Sequence, residues 1–288
     1  MKSTSIKNLI AFLLLAGSVV VQAEETKDLQ NDPSAPPLWE VGIFGGAARL
    51  PHYRGSDEYR LYVLPLPYLI YRGDILKVDR EGLKGVFWKT DRIETGLSLS
   101  GNPPVDGDNK AREGMPELGA IVEFGPMLQY FITDRKNPNP LFITAAVRAA
   151  ISVDTDNLNM DYQGLCSGLK TIYRNRTWLE DQGVSLGVSA GIDFADQDYN
   201  SYFYDVAPAY ATASRPAYRA DGGYAGFSFS MNAQKKITDR WSIGTYYRWD
   251  NISGAVYRDS PLVRTENNHI IGCALIWTIC QSDEKVSR

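Results

Sequence analysis

Thr238-Asp239-Arg240-Trp241-Ser242-Ile243-Gly244-Thr245-Tyr246-Tyr247-Arg248-Trp249-Asp250 is the stretch that decides the fold of this chain. From Trp241 onward it alternates. Trp241, Ile243, Thr245, Tyr247 and Trp249 share one face of an extended strand; Ser242, Gly244, Tyr246, Arg248 and Asp250 share the other. Trp241 and Trp249 stand eight residues apart on the apolar face. Extended, that is ~26 Å of chain, and a tilt of ~40° leaves ~20 Å of height, near the spacing of two aromatic girdles around a ~25 Å apolar band.

The same period recurs outward from there. Val184, Leu186, Val188, Ala190, Ile192 and Phe194 alternate with Ser185, Gly187, Ser189, Gly191 and Asp193. Ala225, Phe227, Phe229, Met231 and Ala233 alternate with Gly226, Ser228, Ser230 and Asn232. Residues 93–100 and 118–130 follow suit. A soluble sandwich alternates too, but these strands run about 9 to 13 residues, the length of a tilted membrane-crossing strand rather than the usual ~5–6.

The connections alternate in length. Thr-Asp-Arg recurs at 90–92, 133–135 and 238–240, each time in a short polar link where Asp is expected to bond its own backbone. Longer links lie between: 101–116, 154–159, 195–221 and 252–266. Short turns at one end and long loops at the other describe an antiparallel up-and-down transmembrane β-barrel with its long loops outside the cell. Strands are expected at 39–49, 60–71, 74–79, 82–89, 92–100, 117–131, 140–153, 160–174, 180–194, 222–234, 240–251 and 267–280. That is about twelve, within a range of ten to fourteen. Pro65 and Pro67 interrupt the second of them, where proline calls for a bulge or a break. Arg72-Gly73-Asp74 reads as a glycine turn.

The N-terminus fits export. Lys2 and Lys7 precede an apolar run from Leu9 to Val21, and Val21-Gln22-Ala23 places small residues before Glu24. This is the layout of a signal peptide cleaved between Ala23 and Glu24, with a run too short for the ~20 residues of a spanning helix. The expected organisation is a signal peptide at 1–23, a periplasmic segment at 24–38, the barrel at 39–280 and a polar tail at 281–288. The net charge of −4 becomes −6 without Lys2 and Lys7, which argues against nucleic acid as a partner.

Chemistry-bearing residues are sparse. Cys273 and Cys280 lie on one expected strand, ~23 Å apart and beyond disulfide reach, and no Cys/His spacing suggests a metal or cofactor. His52, Ser56 and Asp57 form a hydrolytic set by residue type; the plainer reading is a solvated loop histidine. Asp106, Asp108 and Asn109, Asp154 and Asp156, and Asp193, Asp196 and Asp198 read as solvated loop acids, without calcium-loop spacing. On the polar strand faces Glu94, Glu123, Arg148, Lys170, Arg174, Asp193, Arg248 and Asp250 should point into the lumen. Mixed charges in a narrow barrel tend to pair, which favours a packed interior over an open pore.

Several blocks together resemble the MipA/OmpV family over about residues 39–280. They are Leu50-Pro51-His52-Tyr53-Arg54-Gly55-Ser56-Asp57-Glu58-Tyr59, Leu64-Pro65-Leu66-Pro67-Tyr68, and Ala111-Arg112-Glu113-Gly114-Met115-Pro116. Tyr71-Arg72-Gly73-Asp74, Tyr218-Arg219-Ala220-Asp221-Gly222-Gly223-Tyr224, Asp239-Arg240-Trp241-Ser242-Ile243-Gly244 and Asp259-Ser260-Pro261-Leu262-Val263-Arg264 complete them. The resemblance implies a non-enzymatic Gram-negative outer-membrane protein, in contact with outer-membrane lipid and lipopolysaccharide. It also implies a scaffold that joins a periplasmic lytic transglycosylase to a murein-synthesising penicillin-binding protein. It brings no catalytic residue and no cofactor. A narrow channel is the alternative, and a surface adhesin with Tyr-rich loops (Tyr199, Tyr202, Tyr204, Tyr210, Tyr218) is the third reading.

Overall fold

The computed structural model describes residues 37–72, 76–79, 82–135, 137–154 and 159–284. The expected cleavage point at Ala23 and Glu24, the turn at Gly73 and Asp74, and the end of the tail lie outside them. Twelve antiparallel strands close into one barrel. They are β1 (Trp39–Pro51), β2 (Tyr59–Arg72), β3 (Leu76–Asp79), β4 (Gly82–Lys89), β5 (Ile93–Asn102) and β6 (Ala120–Phe131). β7 (Leu141–Val153), β8 (Met160–Leu179), β9 (Val184–Ala195), β10 (Gly223–Lys236), β11 (Trp241–Asn251) and β12 (Asn267–Gln281) follow. Each strand pairs with its sequence neighbours, and β1 pairs with β12 from Glu40↔Gln281 to Arg49↔Ile271. Closure satisfies the ladder that an open edge would leave bare in lipid. Among the described residues no helix is long and apolar enough to cross a membrane; the strands do the crossing.

The two faces follow the alternation. On β6, Phe124, Leu128 and Tyr130 are exposed on the outside, while Glu123, Met127, Gln129 and Phe131 are buried inside. On β11 and β12 the directly opposed Trp241 and Trp277 stack with ring centroids 5.5 Å apart, on the exposed outer face near the short turns. Trp249 sits at the other end of β11, edge-on to Phe227 at 5.9 Å. These are the two aromatic levels at which amphipathic rings settle between lipid tails and water.

Three expectations change. β2 is neither broken nor bulged at Pro65 and Pro67: it pairs with β1 without a shift from Pro51↔Tyr59 to Trp39↔Tyr71. The irregularity falls on its neighbour instead. β3 has four residues and meets β2 only at Tyr71 and Arg72, so β2 has an edge with few ladder bonds for a proline to lose. Second, Ala225 does not share a face with Phe227. The register shifts between Tyr224 and Gly226, where Gly226 has φ +126°, and this bulge turns Ala225 into the interior. Third, the repeated turns are tied by their threonine hydroxyls, a role the sequence pattern did not single out. Thr90 Oγ1 accepts from the Ile93 N–H at 3.0 Å, and Thr238 Oγ1 from the Trp241 N–H at 3.0 Å. Thr133 Oγ1 accepts from the Leu141 N–H at 3.0 Å. A threonine hydroxyl that accepts from a backbone N–H closes a turn as an Asx side chain does.

At the long-loop end the connections fold into a cap with its own apolar core. α1 (Gln197–Tyr204) is its one α-helix among the described residues. Asp196 starts it as N-cap, accepting from the Tyr199 N–H at 2.9 Å. Tyr53, Val105, Leu118, Phe203, Tyr204, Val206, Ile252, Tyr257 and Leu262 are all buried together there. Full burial of each large side chain contributes roughly 1.5–3 kcal/mol, so the cap is a stable lid rather than a set of solvated loops.

Candidate functional site in the barrel lumen

The site is built from inward-facing strand positions that glycines on the next strand make room for. Lys170 on β8 stands opposite Gly191 on β9, and Asp193 on β9 stands opposite Gly168 on β8. A Cβ on Gly191 would lie 2.4 Å from Lys170 Cγ, and one on Gly168 2.7 Å from Asp193 Oδ1. The small partners let the charged chains lie across the sheet into the interior.

Glu123, Arg148, Lys170, Asp193 and Arg248 all line one cavity of about 140 Å³ beneath the cap, together with Asp250, Arg54, Tyr199 and Tyr246. Arg148 Nε donates to Glu123 Oε2 at 3.1 Å. The Tyr199 hydroxyl descends from α1 and donates to Glu123 Oε1 at 2.7 Å. Arg248 donates twice to Asp250 Oδ1, at 3.0 and 2.7 Å. Glu94 lies lower, near the short turns, and forms an ion pair with Arg135, which reaches up from the β6–β7 turn. Beside it Phe131 and Phe142 stack at 5.2 Å, with the Arg174 guanidinium 4.9 Å from the Phe142 ring centre. Charge pairs, rings and cap thus line and cover the described part of the lumen, with the cavity between them.

Arg54, a loop residue in the family-like block, is the member that strand parity alone does not reveal. It leaves the first loop and enters the lumen, donating to Asp193 Oδ2 at 2.7 Å and lying 3.2 Å from Asp250 Oδ1. The rest of the block holds the cap. The Tyr53 hydroxyl donates to the Leu262 carbonyl at 2.8 Å. Gly55, at φ +92°, donates to Asn268 Oδ1 at 2.6 Å, and the Ser56 carbonyl accepts from Asn268 Nδ2 at 2.8 Å. Arg112 is buried and donates to the Phe203 carbonyl at 3.0 Å and to the Pro116 carbonyl at 3.3 Å. The Glu113 carbonyl accepts from Arg215, and Gly114 takes φ +74° in the turn between them. A glycine two residues after an arginine, in Arg112-Glu113-Gly114, was the available signal; the fold it serves was not readable locally.

His52 is not a solvated histidine. It is 7% exposed, with Nδ1 3.0 Å from Asn109 Nδ2, and the same amide donates to Ser56 Oγ at 3.2 Å. Asp57 is exposed and does not join it, so the hydrolytic set is not assembled. Burial pushes the His52 pKa below its ordinary 6.5, and Arg60 pushes the same way against Asp108, Glu58 and Asp106. The cap is therefore expected to hold His52 neutral. Its stability is full above pH 6.5 and falls as pH drops below that value, because the unfolded loop binds the proton more readily. Protease resistance of the cap measured from pH 8 to 5 should show this loss in the wild type and a flatter profile in His52→Gln.

The loop acids take separate roles. Asp106 and Asp108 pair with Arg60 at 2.7 and 2.8 Å, Asp193 faces the lumen, and Asp196 caps α1. No group of three or more metal-binding side chains occurs among the described residues. Tyr204 is buried, and Tyr199, Tyr202 and Tyr218 pack partly buried against the cap core, so the outer surface loses most of its tyrosines. Burial also raises the Tyr202 hydroxyl to about 12, which keeps it a neutral donor. Cys166 is buried, while Cys273 and Cys280 are exposed and free.

The family described as MltA-interacting protein MipA matches residues 43–279. Outer membrane protein Omp26La of Vibrio anguillarum is 26% identical over 243 residues, 83% of this chain and 84% of that protein. Outer membrane protein OmpV of Vibrio cholerae serotype O1 is also 26% identical over 243 residues, with the same shares of 83% and 84%. Among solved structures, the CymD monoaromatic hydrocarbon channel matches 85% of this chain and 89% of its own length at 12% identity, with a TM-score of 0.33.

Proposed function

This chain belongs to the MltA-interacting protein MipA family of outer-membrane β-barrels, and from that premise we propose that it is a non-enzymatic scaffold for periplasmic murein enzymes. The partners are a lytic transglycosylase and a penicillin-binding protein, and the docking face is the short-turn end of the barrel. The observation that carries the reading is the family match itself, whose name records an interaction with MltA. The packed cap supports it: loops folded over one mouth of the barrel and ion pairs across its interior leave the ends as the surfaces open to a protein partner.

The contact is assigned to the turns at 132–140 and 174–182. The second of these carries Trp178, 75% exposed in a bulge where Asn175 and Leu179 are the paired positions on β8. Large exposed aromatics of this kind anchor protein interfaces. Crosslinking in intact cells should trap a lytic transglycosylase, and replacing both turns by Gly-Ser links should abolish the capture. Undiminished capture after both replacements would refute this docking face. Conductance steps from the intact protein in a planar bilayer would favour a narrow channel instead.

A further inference from the structure

The cavity under the cap is lined by four cations, Arg54, Arg148, Lys170 and Arg248, and three carboxylates, Glu123, Asp193 and Asp250. Each arginine has a carboxylate partner in contact. Lys170 makes neither a hydrogen bond nor a contact ion pair among the described residues, although it lines the cavity and faces the field of Asp193. Its stem lies against Gly191 opposite on β9, where an added Cβ would come within 2.4 Å of Lys170 Cγ. Among the described residues the cavity lining thus carries one more cation than carboxylates, around a space of about 140 Å³.

An unmatched charge in a partly dehydrated interior is costly, and a counter-ion that can shed its water there relieves it. We propose that this cavity is a binding site for one small oxyanion, a carboxylate or a phosphate, held by the Lys170 ammonium. Arg148 supplies the second recognition element. Its guanidinium lines the same cavity, with Nε donating to Glu123 at 3.1 Å, Nη1 to Ser98 at 3.4 Å and the Cys166 thiol beside it. Tyr246 and Tyr199 form part of the wall, so the ligand sits among hydroxyls and ring faces rather than in an open water channel. The size of the space excludes nucleotides and drug-sized acids, whose pockets span roughly 300–1,000 Å³. This site is independent of the scaffold reading and stands or falls without it.

The test uses the full folded chain in detergent micelles, at constant ionic strength set with chloride. Inorganic phosphate and acetate are titrated separately by calorimetry, so that the two arms say which oxyanion is preferred. Saturable 1:1 binding of either one is expected in the wild type, retained in Lys170→Arg and weakened at least tenfold in Lys170→Met. Absence of saturable binding of both anions overturns the proposal, as does undiminished binding by Lys170→Met. If Lys170→Met does not fold, acetylation of Lys170 by acetic anhydride in the wild type replaces it, read by mass spectrometry. The bound anion must slow that reaction, and an unchanged rate overturns the site.

Discussion

Asp250→Ala is expected to lower the stability of the folded barrel by about 3–5 kcal/mol, the cost of removing one partner from a buried ion pair. Asp250 is 1% exposed and accepts from Arg248 at 2.7 Å with Arg54 only 3.2 Å away. Without it Arg248 loses its carboxylate, while Arg54 keeps Asp193. The penalty therefore falls mainly on one guanidinium, and the lower end of the range is expected. Urea unfolding in detergent, followed by the heat-dependent shift of the barrel on gels, measures it. The double variant Arg248→Met with Asp250→Leu removes both charges and should recover most of the loss. A single variant as stable as the wild type would mean that water already screens the network.

The second large effect is at the cap. Tyr257→Ala should destabilise the cap by about 3–5 kcal/mol, as for other buried aromatic truncations, while the barrel wall persists. Tyr257 is 1% exposed, stacks on Tyr204 with centroids 3.7 Å apart, and donates to the Ala225 carbonyl at 2.7 Å. Trypsin added to intact cells should then cut after Arg219, which lies in the loosened loop, and not after Arg215, whose bond to Pro216 trypsin does not cleave. Tyr257→Phe keeps the stack and loses only one hydrogen bond, about 1 kcal/mol, so it should remain resistant. Equal resistance of Tyr257→Ala and the wild type would show that the other loops hold the cap alone.

These two effects meet at Arg54. It is covalently part of the first loop, its carbonyl accepts from the Tyr204 hydroxyl at 3.0 Å, and its guanidinium binds Asp193 and Asp250. Loosening the cap therefore reaches the lumen charges, and removing a lumen charge reaches the cap. The two variants are predicted to be non-additive for that reason.

The sequence by itself determined the wall. Period-two alternation is a property of consecutive residues, so the faces of 184–194 and 241–250 could be read without knowing what lay beside them. The turn repeats marked the short-linked end of the barrel for the same reason. The tertiary structure decided everything that depends on which distant residues meet. Arg54 and Asp193 are 139 residues apart, and no local pattern assigns one to the other. A bulge at Gly226, fixed by pairing with β9, reversed the face of Ala225. The shortness of β3, not a break in β2, absorbed Pro65 and Pro67. Loops rich in tyrosine looked outward-facing in sequence, yet their rings buried one another, because apolar surface at a barrel mouth is hidden only by folding loop on loop. Local periodicity sets the strands; closure and loop packing set the site.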